Sequence, residues 1–192
     1  VYGAFEDCSG LTSITIPDSA TSIEGSAFWG CSSLTSITIP DSVTSIGSHA
    51  FYDCSSLTSI TIPVSVTSIE AGVFSSCSRL ASVTLGNRVT SIGDYAFNSC
   101  DSLTSITIPD SVTSIGKSAF SFCDSLASVT VPAGVTEIGT GAFAWCNKLT
   151  RITVAVDNPN YCSADGVLFN KDKTVLMQAP GALSGAYTVP AG

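Results

Sequence analysis

The chain has 192 residues and a formal net charge of −8, and 11% of its residues are charged while 44% are hydrophobic. Binding to nucleic acid or to an anionic membrane surface needs clustered Lys and Arg, and the chain has only seven of these residues, so both classes of partner are excluded. No apolar run approaches the roughly 18 residues of a membrane-spanning helix, so we expect no membrane insertion.

The sequence is organised by a repeat of 23 residues, of which LTSITIPDSVTSIGSHAFYDCSS at 34–56 is typical. Its leucine recurs without insertion at Leu11, Leu34, Leu57, Leu80, Leu103, Leu126 and Leu149. A fixed period of about 20 to 50 residues indicates a solenoid, in which each repeat is one coil that contacts only its neighbours. We number the coils from these leucines, so that 34–56 is coil 2. A single coil cannot bury its own apolar side chains, so the coils are expected to be stable only when stacked.

Each coil begins with the pattern Leu-x-x-Ile-x-Ile, whose alternation and β-branched residues predict a short strand. In coil 2 the inward residues of this strand are Leu34, Ile37 and Ile39, and the outward residues are Ser36 and Thr38. Stacked coils would place equivalent strands side by side, about 4.8 Å apart, in a parallel ladder.

The remainder of the coil contains turns and a second extended piece. Pro40 ends the first strand because it lacks an N–H and has a fixed φ. Residues 43–46 form the second extended piece, which Gly47 ends. The apolar spacing within 50–54, at i, i+1 and i+4, predicts a single helical turn that closes the coil.

The pattern changes after residue 152, where two extended runs replace the regular coil. These runs, Val167–Phe169 and Thr174–Met177, are separated by a loop of about four residues and predict a hairpin. A further strand is expected at Tyr187–Val189, which resembles the opening of another coil.

The domain organisation follows from the repeat. We predict one solenoid domain over 1–192, with regular 23-residue coils over 1–152 and, over 153–192, an enlarged coil that carries the hairpin and ends in the further strand. Both ends of the chain interrupt the repeat phrase, and solenoids need polar capping repeats. We therefore expect the chain to be part of a longer protein.

The combined pattern LxxIxIPxxVxxIGxxAFxxCxS over seven coils resembles the BspA-like, or Treponema pallidum type, leucine-rich repeats. The segment DNPNYCSADGVLFNKDKTVL at 157–176 is similar to an insertion found between blocks of such repeats, although the chain lacks the asparagine column of more familiar leucine-rich repeats. The resemblance implies a right-handed curved solenoid with short parallel β-strands on the concave face and short extended pieces and single helical turns elsewhere. It also implies large secreted or surface-anchored proteins, mostly bacterial, that act in adhesion and share no catalytic residues.

Seven of the eight cysteines follow the repeat period, at Cys8, Cys31, Cys54, Cys77, Cys100, Cys123 and Cys146. Zinc ligands need pairs two to four residues apart, so this column is interpreted as core rather than as a metal site. Thiols in register would lie about 5 Å apart, beyond the roughly 4.5 Å between Cβ atoms that a disulfide needs, so we expect free, buried thiols. Cys162 lies off the period and is predicted to be the most exposed thiol.

Other candidate chemistry has simpler explanations. His49 is the only histidine, and we interpret it as an exposed surface residue rather than as part of a catalytic triad. Asp18, Asp41 and Asp110 share a column that could attract calcium, but turn positions account for them, since calcium needs six to eight converging oxygens. The sequence therefore predicts no enzyme, no catalytic or metal site and no cofactor.

Two surfaces are candidates for partner binding. Trp29 and Tyr52 occupy equal register on adjacent coils, as do Phe122 and Trp145, and such pairs are either exposed anchors for a protein or half-buried packing between coils. The other surface is the uncharged outward side of the first strands in coils 2 to 5, which consists of Ser36, Thr38, Ser59, Thr61, Ser82, Thr84, Ser105 and Thr107.

The function predicted from these features is that of a non-enzymatic, secreted or cell-surface adhesion module that recognises a host or matrix protein or a glycan. One alternative is a structural spacer in a large surface protein. A remote alternative is ice binding through the flat array of outward threonines, although outward Thr is also what strand propensity favours.

Overall fold

The computed structural model describes residues 2–190, which form a solenoid of stacked coils with short parallel β-strands, as the sequence predicts. In chain order the strands are β1 Ser22–Ile23, β2 Ser45–Ile46, β3 Ser59–Thr61, β4 Ser68–Ile69, β5 Ser82–Thr84, β6 Ser91–Ile92, β7 Ser114–Ile115, β8 Ser128–Val131, β9 Glu137–Ile138, β10 Arg151–Val154, β11 Tyr161–Ala164, β12 Val167–Asn170 and β13 Leu176–Gln178.

Two columns of strands run along the solenoid. The first ladder contains the strands that follow each leucine, and it pairs β3 with β5 and β8 with β10. The second ladder contains the extended piece that ends, in each coil, at the position equivalent to Gly47. It pairs β1 with β2 and joins β4, β6, β7 and β9 in order. Every one of these parallel pairs has a register of one repeat, as in Ser59↔Ser82. Successive coils therefore stack without offset.

The segment between each second-ladder strand and the next leucine is built from turns rather than from the predicted helical turn. In coil 2 the Tyr52 N–H donates within the coil to the His49 carbonyl, whereas the Phe51 N–H donates to the Val73 carbonyl of coil 3. Alternate amides thus bond within the coil and between coils, so no helix forms here. The equivalent bond from Phe to the following coil, at 2.7–2.9 Å, recurs from Phe5 to Phe120.

The core lies between the first ladder, the second ladder and the turn segments, and it is arranged in columns. Phe5, Phe28, Phe51, Phe74, Phe97, Phe120 and Phe143 stack in sequence with ring centroids 5.2–5.7 Å apart. From coil 2 onward the repeat leucines are fully buried beside them. Such burial needs a neighbour on both sides of each coil, because a coil is only one chain thick.

The segment after β10 forms a small antiparallel sheet in the order β11–β12–β13. The predicted hairpin corresponds to β12 and β13, although β13 begins two residues later than expected and a bulge lies at Leu168/Phe169. The strand β11 was not predicted. This sheet covers the last coil, because the Ile152 N–H donates to the Gly166 carbonyl at 2.8 Å.

The further strand expected at Tyr187–Val189 is not formed. The edge of β10 with which it would pair is already occupied by the turn between β11 and β12. Instead, the Tyr187 hydroxyl donates to the Ala164 carbonyl at 3.1 Å. Val1, Ala191 and Gly192, which belong to the predicted 1–192 domain, lie outside the described residues.

Candidate binding surface

The outward side chains of the first ladder form an uncharged surface on coils 2 to 5. We call this surface the hydroxyl face, and its members are Ser36, Thr38, Ser59, Thr61, Ser82, Thr84, Ser105 and Thr107, all of which are exposed. Between Ser59 and Thr61, Ile60 points inward and is 3% exposed, as the alternation of a strand requires. The structure therefore brings together all eight residues that the sequence assigned to this face.

The hydroxyls of this face differ from those of the other threonine columns in their hydrogen bonding. The Thr58 hydroxyl, next to the face, donates to the Thr35 carbonyl, and the Thr90 hydroxyl of the second ladder donates to the Thr67 carbonyl. Within residues 2–190, the side chains of the hydroxyl face make no such bond to another protein group. Their donor and acceptor capacity is therefore available to a partner.

The first ladder is interrupted, which shapes the hydroxyl face. In the part of the chain that the structure describes, the first-ladder segments of coils 2 and 3 form no strand pair, and Ser105–Thr107 of coil 5 form none with either neighbour. A depression of about 320 Å³ lies between coils 2 and 3 and another of about 420 Å³ between coils 4 and 5. The polar residues that line the second depression are Thr84, Asn87, Thr107, Asp110 and Ser111. The expected continuous ladder is thus replaced by strands that open in two places.

The pair Trp29 and Tyr52 is half-buried packing between adjacent coils. Their ring centroids are 4.4 Å apart, and the His49 ring lies 5.6 Å from Trp29 and 5.9 Å from Tyr52. The expectation that His49 is an exposed surface residue is wrong, since it is half-buried and its ring lies over Gly72 of the next coil. Of the two interpretations left open for this pair, the structure favours packing.

The second aromatic pair, in contrast, is exposed. Phe122 and Trp145 are 46% and 67% exposed, and their rings are nearly parallel, with centroids 6.0 Å apart. Exposed aromatic side chains of this size are unusual on a surface that is otherwise rich in Ser and Thr.

The cysteine column is buried from Cys31 to Cys146, and all eight thiols are free. Each buried thiol donates to the phenylalanine carbonyl of the preceding coil, as in Cys54 Sγ to Phe28 O at 3.2 Å. Burial raises the pKa of Cys31 to about 11 and that of Cys77 to about 12. The Cys31 and Cys77 thiols therefore remain protonated at neutral pH.

The prediction that Cys162 is the most exposed thiol is wrong. Cys8 is exposed, because no described coil packs on its outer side, whereas Cys162 is half-buried. The pairing of β11 with β12 places the Cys162 sulfur 3.3 Å from the Asn170 carbonyl oxygen.

No metal-binding group emerges from the titratable residues in the described part of the chain. Asp18, Asp41 and Asp110 are exposed turn residues, and within residues 2–190 no group of three or more His, Cys, Asp or Glu side chains could hold a metal ion. The same part of the chain contains no helix with the length and apolar character needed to cross a bilayer.

Comparison with known families gives a match over most of the chain. A family model described as BspA type leucine rich repeat region matches residues 2–102 and 71–164, with six copies. No protein of curated function matches the chain.

Solved structures with similar folds are leucine-rich repeat proteins. One from Eubacterium ventriosum is 33% identical, has a TM-score of 0.74, and the match covers 82% of this chain and 42% of that chain. The leucine-rich repeat protein of T. pallidum is 32% identical and has a TM-score of 0.57, and the match covers 73% of this chain and 61% of that chain. A leucine-rich cell surface protein from Faecalibacterium prausnitzii is 33% identical and has a TM-score of 0.58, and the match covers 88% of this chain and 46% of that chain. The chain thus spans 42% to 61% of the length of these proteins.

Proposed function

This chain belongs to the BspA-type leucine-rich repeat family, and on that premise we propose that it is a non-enzymatic adhesion module that acts in secreted form or at a cell surface. Leucine-rich repeat proteins are generally binding modules without catalysis, and one similar structure is that of a cell surface protein. The observation that carries the proposal is the hydroxyl face, whose eight exposed side chains leave their hydrogen-bonding groups free. The partner is a host or matrix protein or a glycan that these groups contact.

Recognition on this face rests on hydrogen bonds and shape. Each hydroxyl can both donate and accept, so the face can bond to peptide groups or to sugar hydroxyls. The two depressions between coils make parts of this face concave, so a partner can also be recognised by its shape. Because the eight residues carry no charge, the affinity should change little with ionic strength. A single hydroxyl contributes little net energy, so affinity comes from several bonds made together and from repetition along a longer solenoid.

The test compares three pairs of substitutions for binding to a panel of purified, immobilised extracellular-matrix proteins and glycans. Thr61→Lys with Thr84→Lys places bulk and charge in the middle of the hydroxyl face. Thr90→Lys with Thr113→Lys is the matched control, because these exposed threonines lie on the second ladder and their hydroxyls already bond to backbone carbonyls. Trp29→Ala with Tyr52→Ala tests the half-buried aromatic pair instead.

The expected result is that the first pair abolishes binding and that the second pair leaves it unchanged. Loss only in the Trp29 and Tyr52 variant would move the site to the turns, and retention in all three would move it to the hairpin around Lys171 and Lys173. If the folded parent protein binds no probe, the spacer alternative is favoured. Measurable thermal hysteresis in the parent protein would support ice binding in place of adhesion.

A further inference from the structure

The exposed pair Phe122 and Trp145 occupies positions at which the fold favours small residues. Both residues have positive φ, at 58° and 60°, and a bulky side chain is disfavoured in this left-handed region. The equivalent residue also has positive φ in the other regular repeats, where it is Asp7, Gly30, Asp53, Ser76 or Ser99. These other residues are small or are types that tolerate the left-handed region. Folding therefore does not explain why an aromatic ring stands at this position in two adjacent coils.

Burial does not explain the two rings either. The indole of Trp145 is 67% exposed, and the contact that it makes with Phe122, at a centroid distance of 6.0 Å, occupies one face of the ring. Much of the Trp145 side chain is therefore accessible to a partner. Exposed aromatic side chains in pairs are typical of binding surfaces, where they supply large contact area at low entropic cost.

Carboxylate side chains lie beside the rings. Cys123 and Cys146 point inward, so the residues that follow them, Asp124 and Asn147, lie on the outside, two positions after each ring. Two residues span at most about 7 Å along the chain, so rings and polar groups share one patch. The Asn147 side-chain amide donates to Asp124 Oδ1 at 2.9 Å, which orients that carboxylate.

The preceding coil contributes a second carboxylate, that of Asp101, in register with Asp124. Asp101 is exposed, and partial desolvation and, secondarily, the negative charge of Asp124 raise its pKa. Two acids in register repel each other, and a cation held beside them would relieve this repulsion.

We propose that Phe122, Trp145, Asp101 and Asp124 form a second binding surface, on the turn side of the solenoid, that takes an arginine-bearing segment of a partner protein. One arginine of the segment stacks on Trp145 and another donates to the carboxylates of Asp101 and Asp124, since arginine makes both cation–π and bidentate contacts. The net charge of −8 adds long-range attraction for such a segment. The inference rests on the proposed function only in taking the partner to be a protein.

The probe is a synthetic peptide in which arginine alternates with glycine, and its counterpart with alanine in place of arginine is the negative control. Affinity is measured by calorimetry and by quenching of tryptophan fluorescence in a Trp29→Phe background, where Trp145 is the only tryptophan left. The test variant is Trp145→Ser, because serine is already present at this position in other coils and fits the backbone. The matched control is Tyr95→Ala, which removes an exposed ring that Lys117 already covers at 5.7 Å.

We expect the arginine peptide to bind and to quench Trp145, with an affinity that falls as salt is added. Trp145→Ser should weaken binding by about five-fold or more, and Asp124→Asn by several-fold, whereas Tyr95→Ala should have no effect. Equal affinity in the parent and in folded Trp145→Ser, equal loss in Tyr95→Ala, or no binding at all would each overturn the proposal. Salt-independent binding of oligosaccharides that Trp145→Ser abolishes would also overturn it, in favour of a glycan. The hydroxyl-face variant should bind the peptide normally, so failure of the adhesion proposal would be seen separately.

Discussion

Replacing Phe97 by alanine tests the energetic basis of the stacked core. Phe97 is fully buried, and its ring lies between those of Phe74 and Phe120 at 5.4 and 5.3 Å. Removing a buried phenylalanine costs about 3 to 5 kcal/mol, because the cavity collapses only partly. The loss should lie in the upper part of this range, since two aromatic contacts, each worth about 0.5 to 1.5 kcal/mol, disappear together.

Phe5→Ala is the matched control for this experiment. Phe5 belongs to the same column but is 37% exposed, and within residues 2–190 its ring stacks only on that of Phe28. Its removal should therefore cost roughly half as much as that of Phe97 or less. The free energy of unfolding is measured by urea titration with circular dichroism and fluorescence in parallel, because coincident curves are needed for two-state analysis. A loss below about 1 kcal/mol for Phe97→Ala, or equal losses for the two variants, would refute the shared-column explanation.

Three further predictions concern the thiols and the segment after β10. A thiol reagent should label Cys8 and Cys162 well before Cys77 in the native protein, and mass spectrometry that finds Cys77 modified early would contradict the buried column. Because burial raises the pKa of Cys77 from 9.0 to about 12, the folded state holds this proton more tightly, so the contribution of this thiol to stability should be fully present below pH 9 and be lost between pH 9 and 12. Urea midpoints across that range should decline less steeply in Cys77→Ala. Asn158→Ala should destabilise the last coil by about 2 to 3 kcal/mol, whereas Asn160→Ala, at an exposed position, should cost much less; hydrogen exchange in β10 compares the two variants.

The repeat period allowed the core to be predicted almost completely from sequence. A residue such as Leu57 or Phe74 recurs at a fixed interval, and only stacking of coils in register can bury such a column. The helical turn was predicted wrongly because the apolar spacing in 50–54 also fits a chain whose alternate amides point to the neighbouring coil. Side-chain spacing reports which residues are buried, but it does not report where the backbone hydrogen bonds are made.

The role of the segment after β10 could not be read from the sequence for a related reason. Asn158 is fully buried, its amide nitrogen donates to the carbonyls of Pro132 and Val135, and its side-chain oxygen accepts from the Asn160 and Tyr161 amides. In the sequence the same asparagine stands beside a proline in a cluster that is typical of loops. Only the fold reveals that a residue with turn chemistry satisfies four backbone groups between two coils.

The hydroxyl of Tyr161 shows how this segment protects the second ladder. It accepts a hydrogen bond from the Ile138 N–H at 3.1 Å and lies 3.2 Å from the Thr136 carbonyl, to which it donates. These two groups belong to the strand region of β9, the last strand of the ladder, and would otherwise be open to pairing with another chain. One side chain thus replaces a further strand at that edge.

The strict repeat also determines where partner-specific chemistry can arise on this solenoid. An inward side chain touches its equivalents on both neighbouring coils, with rings 5.2–5.7 Å apart, so a change in one coil disturbs two others. An outward side chain has no such constraint. Outward positions can therefore keep the same hydroxyl residue in every coil, as on the hydroxyl face, or differ from the repeat in one or two coils, as at Phe122 and Trp145. A column of identical residues supplies many weak, equal contacts and suits extended partners, whereas a pair of aromatic residues on two adjacent coils supplies one strong local contact. The two surfaces therefore differ in the salt dependence and in the number of contacts by which each would hold a partner.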